Sequence, residues 1–303
     1  MNQVANNVLD LNTEHVPSLA SSAMLVELSI SSWTGRKKDK RASKEVTDAK
    51  GADATVASVN KTLLSDCEQL RNIKTMIGEA RNHVHYHLTM PWSDTGIRLL
   101  PTELFFKYQE KITHYEGQIA AEVDDLIENY EHAKAMASAK LGMLFNEDDY
   151  PSADELRDKF RFRVSYMPLP DADDFRVSVS NDAMSMLRDQ YESAYTDKIE
   201  QAMGDIWKRV HEALSNMSSR LGYNDDGKPL IFRDSLIENA IELVDLMDAC
   251  NVTGSSQMSE IGKKLRDALL GVSADGLRED TIFRDQKKKD IDELIKQLPS
   301  IDL

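Results

Sequence analysis

Two short segments that repeat every two residues are set between stretches that repeat every three or four. Phe160-Arg-Phe-Arg-Val-Ser-Tyr166 and Phe175-Arg-Val-Ser-Val-Ser180 alternate apolar and polar side chains. Alternation with period two places every second side chain on one face of a strand, whereas spacing of three and four does so on a helix. The change of period predicts a β-hairpin inside a helical protein. An isolated hairpin is only marginally stable in water, so a further strand is required. Met24, Val26, Leu28 and Ile30 supply it, with Glu27, Ser29 and Ser31 on the opposite face.

The flanking stretches read as long helices. Phe105, Tyr108, Ile112, Tyr115, Ile119, Val123, Leu126 and Tyr130 begin a stripe that continues to Leu144. It predicts one helix over 102–144, about 65 Å long at 1.5 Å per residue. A second stripe runs through Leu187, Tyr191, Tyr195, Ile199, Met203, Ile206, Val210, Leu214, Met217 and Leu221, between the cap Asn181 and the stop Gly222. Shorter helices are expected over 53–88, 152–159, 235–249, 255–270 and 280–298, the 152–159 helix with Ser152 and Glu155 as a capping box. The predicted fold is mainly α (α+β): long antiparallel helices form a bundle, capped by a small antiparallel sheet of about three strands. Residues 1–20 lack periodicity and are expected to be disordered. Residues 21–222 form the bundle with its inserted hairpin, and 223–303 a C-terminal helical region.

Charge narrows the classes of function. Among 303 residues, 52 are acidic and 37 basic, a net charge of −15. Such a chain is repelled by phosphate backbones over most of its surface, so a nucleic acid is held only at a local basic patch. The two cysteines, Cys67 and Cys250, form no C-x-x-C pair, as expected for reduced thiols in a cytoplasm. No apolar stretch approaches the roughly 20 residues of a membrane span, and no basic-then-apolar leader opens the sequence. Phosphate-binding loops, dinucleotide fingerprints and nucleophile elbows do not occur. No catalytic residue and no cofactor is therefore assigned.

Two constellations carry candidate binding chemistry. Arg36, Lys37, Lys38, Lys40, Arg41 and Lys44, relieved only by Asp39, follow Trp33 and read as a basic loop. Their cations would neutralise phosphates while the indole stacks on a base. If Phe160, Phe162 and Val164 and, on the second segment, Phe175, Val177 and Val179 face the core, Arg161, Arg163 and Arg176 project from the other face and extend the patch. The alternative is that these charges pair with acidic helix faces or keep an exposed sheet soluble. His83 and His87, four apart, are the metal candidates, since a helix would bring both to one face and turn His85 away. The alternative is a set of partly exposed histidines near a helix end. The acidic runs at 124–125, 147–149 and 171–174 lack calcium-loop spacing and read as solvated faces.

Several stretches together resemble an uncharacterised family of tailed-bacteriophage proteins. They are Trp33-Thr-Gly-Arg-Lys-Lys-Asp-Lys40, Pro91-Trp-Ser-Asp-Thr-Gly-Ile-Arg-Leu-Leu-Pro101, Asp149-Tyr-Pro151, Phe160-Arg-Phe-Arg-Val164, Met167 through Val177, and Phe232-Arg-Asp-Ser-Leu236. The similarity spans residues 24 to 250. It implies a phage product made in the bacterial host cytoplasm. The family has no assigned activity, so the resemblance carries over no catalytic residue. The expected function is that of a non-enzymatic helical interaction or assembly protein, with a protein partner or a second copy of itself and no membrane association. The alternative is a single-stranded nucleic-acid-binding protein that uses the basic loop and the arginine face.

Overall fold

A computed structural model of the protein describes residues 19–169 and 181–299. The fold is mainly α with a small antiparallel sheet. The first stretch comprises α1 (Leu19–Ser22), β1 (Ala23–Ser31), β2 (Arg36–Asp39), α2 (Lys40–Lys50), β3 (Val59–Thr62) and α3 (Glu68–Glu79). A π-helical turn, Ala80–His85, leads to α4 (Tyr86–Leu88), β4 (Met90–Pro91) and β5 (Ile97–Pro101). Next come α5 (Phe105–Glu128), α6 (Tyr130–Leu141), two 3-10 turns at Gly142–Leu144 and Glu147–Asp149, α7 (Ala153–Arg157) and β6 (Arg161–Pro168). Helices α8 (Asn181–Arg220), α9 (Ser235–Ala249), α10 (Ser256–Leu269), α11 (Ala274–Glu279) and α12 (Thr281–Ile295) complete the chain.

The main sheet has the order β4-β5-β1-β6. β1 pairs antiparallel with β5, Val26 opposite Arg98, and β5 pairs with β4. The strands at 24–31 and 160–166 therefore share a sheet as expected, but the β4–β5 hairpin was not. Leu99 and Leu100 are both fully buried, so β5 shows no alternation to read. The inner half of β1 behaves alike, with Leu25 and Val26 both buried, while its outer half alternates. The strand expected at 175–179 and the connection before it lie outside the described residues.

Other boundaries moved for local reasons. The basic run is not a loop: β2 pairs with β3, and α2 follows at once. Asp39 caps α2 by accepting from the Ala42 amide at 2.9 Å, and Gly51 ends it with φ +61°. The helix expected over 53–88 begins only at Glu68, because 59–62 joins β2 instead. The helix expected over 102–144 breaks at Asn129, whose side-chain amide turns back to the Asp125 carbonyl at 2.9 Å. The capping box at Ser152 and Glu155 is present, and α8 ends just before Gly222 as read. The helix α11 inside 270–280 was not anticipated.

The chain divides into two compact units. The first contains residues up to Glu27, Leu88–Phe106 and the chain from Tyr166 onward; the second contains Leu28–His87 and Lys107–Ser165. This grouping differs from the division at 222 read from the sequence, and the two long helical stretches fall into different units.

In the second unit, α3 presents Leu70, Ile73 and Ile77 to Ile119, Val123 and Leu126 of α5 and Tyr130 of α6. Tyr130 and Tyr150 bury their rings and donate their hydroxyls to the carbonyls of Pro151 and Leu63, each at 2.9 Å, so neither burial leaves an orphan polar group. In the first unit, α8 packs on α9, α12 and β4. Its stripe from Ile199 through Met203, Ile206, Val210, Leu214 and Met217 to Leu221 is buried throughout.

That unit also buries Arg284, 2% exposed. Its acceptors are main-chain carbonyls: Nε to Leu221 at 2.9 Å, and Nη2 to Arg220 at 2.9 Å and Leu230 at 2.8 Å. The guanidinium carbon lies 5.3 Å from the Phe232 ring centroid and 5.9 Å from that of Tyr223. Arg284 thus closes the C-terminal end of α8, where unpaired carbonyls and the negative end of the helix dipole favour a cation. Among the described residues, no helix is long and apolar enough to cross a membrane.

Candidate anion-binding groove

The basic run folds into one side of a groove of about 600 Å³ in the second unit. β2 and the first turn of α2 bring Lys37, Lys38, Lys40 and Arg41 to it, and the turn after α6 brings Met143, Leu144 and Phe145. Met143 is 90% exposed and Leu144 40%, so apolar surface lies open beside cationic surface.

A buried ammonium holds these segments together. Lys61 sits on β3 directly opposite Lys37 and is only 7% exposed. Its Nζ has three acceptors: Asp149 Oδ2 at 2.6 Å, the Leu144 carbonyl at 2.6 Å and Asp39 Oδ2 at 3.2 Å. An ammonium has three N–H donors and all are used. This is the arrangement that makes a buried charge tolerable. Burial disfavours the Lys61 charge, but its hydrogen bonds to Asp149 and Asp39 and their charges outweigh burial, so its pKa is raised. Burial pushes the Asp149 carboxyl up, and Lys61 and Lys37 together pull it below the ordinary range. Asp39 is held low first by the Ala42 amide and then by Lys61.

The remaining candidates are distributed unevenly. Lys37 is paired with Asp149 at 2.9 Å, and Arg41 with Glu45 at 3.2 Å. Lys38, Lys40 and Lys44 are exposed and have no carboxylate partner among the described residues, and Arg36 is exposed at the start of β2. Trp33 is half-buried, with its ring edge-on to Tyr130 at 6.5 Å and packed on the core of its unit. It is a packing residue here rather than an open stacking surface. Arg161 and Arg163 are exposed on β6, as read, but Arg161 lines a separate cleft of about 310 Å³ with Arg157 and Asp124. They do not enlarge the groove. Arg176 lies outside the described residues.

The histidines fall differently from the expectation. The π turn adds a residue to the helical phase, roughly 100° of rotation. His85 is consequently the buried one, its Nδ1 2.8 Å from the Tyr108 hydroxyl, while His83 is exposed and His87 half-buried. Among the described residues, no three metal-type ligands gather at one point.

Lys61, Asp149 and Met143 were missed as site residues. Lys61 meets Leu144 across 83 positions of sequence, and no local pattern encodes that contact. Asp39 could have been found as the one acidic residue in the run, placed where a helix needs its cap. No protein-family model matches the chain, and neither does any curated protein or solved structure.

Proposed function

We propose that the protein is a non-enzymatic binding protein, made from a phage gene in the host cytoplasm, that holds single-stranded nucleic acid in the groove of its second unit. The observation that carries this reading is the pairing of two surfaces in one groove. Lys38 and Lys40, without internal ion partners, stand beside exposed Met143 and Leu144. Phosphates suit the first surface and unstacked base faces the second; a duplex keeps its base faces inside. The −15 net charge confines attraction to this patch.

The test is fluorescence anisotropy with a labelled single-stranded oligonucleotide at 50 and 200 mM salt. Lys38→Glu/Lys40→Glu is expected to weaken binding at least tenfold, and unlabelled single strand to compete better than duplex. A wild-type protein that binds neither, or a double variant that binds equally well, overturns the reading.

A second reading, a helical interaction or self-association protein, is supported by Ile231, Leu270 and Ile282 of the first unit, each at least 80% exposed. Light scattering of the purified chain tests it. A defined oligomer dissolved by Ile231→Asp or Ile282→Asp supports it, and a monomer at high concentration counts against it.

A further inference from the structure

The floor of the groove already holds an anion, and the anion belongs to the chain. Lys37 and Lys61 face each other across the β2–β3 ladder, where two like charges repel. Asp149 lies between them and gives one oxygen to each, Oδ1 to Lys37 at 2.9 Å and Oδ2 to Lys61 at 2.6 Å. A phosphate would bridge the same two lysines in the same way.

The two lysines are not equally committed. Lys61 has its three N–H donors used and its side chain is 5% exposed, whereas the Lys37 side chain is 50% exposed and makes one ion pair. Lys37 can be reached by a ligand, but its ammonium is already paired from below with Asp149, whose side chain is 9% exposed, so a phosphate there has to share Lys37 with that carboxylate. Lys38, one residue on, lines the same groove and has no carboxylate partner among the described residues.

We infer that Asp149 is an intrachain competitor of phosphate, which keeps Lys37 out of the polyanion surface and so limits how many phosphates the groove neutralises. The inference rests on the nucleic-acid reading of the same groove. It gives Lys37 a role opposite to that of its neighbours in the basic run. Lys38 and Lys40 determine affinity; Lys37 is held in reserve, and the carboxylate sets the ceiling.

The test is the salt dependence of oligonucleotide binding in four proteins: wild type, Lys37→Gln, Asp149→Asn and the double variant. Lys37→Gln leaves the wild-type slope of log affinity against log salt unchanged. Asp149→Asn, which keeps an acceptor for Lys61, binds more tightly and steepens the slope by about 0.7, the increment for one added single-strand phosphate contact. Its advantage is then roughly 2.6-fold larger at 50 mM than at 200 mM salt. The double variant returns to the wild-type slope. Should Asp149→Asn fold poorly, Lys37→Gln alone still decides, since Lys37 lies outside the buried contacts. A Lys37→Gln slope flatter by about 0.7, with binding retained, sinks the inference and leaves the function standing. An unchanged slope in well-folded Asp149→Asn sinks it too. No binding by any of the four proteins overturns the function and the inference with it.

Discussion

Among the described residues each unit buries one long cationic side chain, and the two burials are solved in opposite ways. Lys61 in the second unit is neutralised by two carboxylates and one carbonyl. Arg284 in the first unit has main-chain carbonyls and aromatic faces around it. The carboxylates around Lys61 reach the surface of a groove and carry charge that a ligand can sense. The carbonyls around Arg284 belong to the end of α8 and the loop that follows it, and carry no net charge. A buried cation with acidic partners therefore builds a responsive surface, whereas one with backbone partners builds a closure.

The largest expected effect comes from breaking the closure. Arg284→Met leaves the carbonyls of Arg220, Leu221 and Leu230 without their donor and is expected to cost about 3–5 kcal/mol in urea denaturation. A loss under about 1 kcal/mol would mean that water replaces the guanidinium and that the contrast with Lys61 is unreal. Lys61→Met comes next, at about 2–4 kcal/mol, because Asp39 and Asp149 are left facing each other with only Lys37 nearby. The loss is read most directly from Trp33, the one tryptophan of the second unit.

The pH dependence then separates the two sites. Asp39 and Asp149 have lowered folded pKa values, so their contribution is complete above the ordinary carboxylate value of about 3.9 and is lost as pH falls through the lowered values. Lys61 has a raised value, so its contribution is complete below about 10.4 and is lost as pH rises through the raised value. The penalty of Lys61→Met should shrink below about pH 4. The penalty of Arg284→Met should not change there, since carbonyls do not titrate. Equal acid profiles for the two variants would erase the comparison. The smallest effect is expected from Tyr223→Phe, which keeps the ring beside Arg284 and loses the 2.7 Å hydrogen bond to Asp285. Only a marginal loss is expected for that exposed bond, against the larger cost of removing the cation itself.

The legibility of the fold followed the length of its patterns. The α8 stripe runs for many turns, and its end at Gly222 was readable, as was the capping box at Ser152. β6 alternates because one of its faces is open, with Arg161 and Arg163 exposed. β5 was not readable because Leu99 and Leu100 are both buried, and β2 and β3 are four residues each, too short for any period. The candidate site was half legible. Its cations are contiguous and visible in sequence, but the carboxylate, buried lysine and exposed methionine that shape it arrive from distant positions, Asp149 from more than 100 residues beyond Lys37. The histidine pair misled because one added residue in a π turn changes which side chain faces inward.

The closure of α8 also has a consequence in time. Arg284 follows Leu221 by 63 positions. At a synthesis rate of 5–20 residues per second, the ribosome finishes that helix roughly 3–13 s before it supplies the side chain that seals it. Until then the carbonyls of Arg220 and Leu221 have only water in place of the guanidinium, and any nascent chain halted in that interval carries an unsealed rod for a chaperone or protease to find.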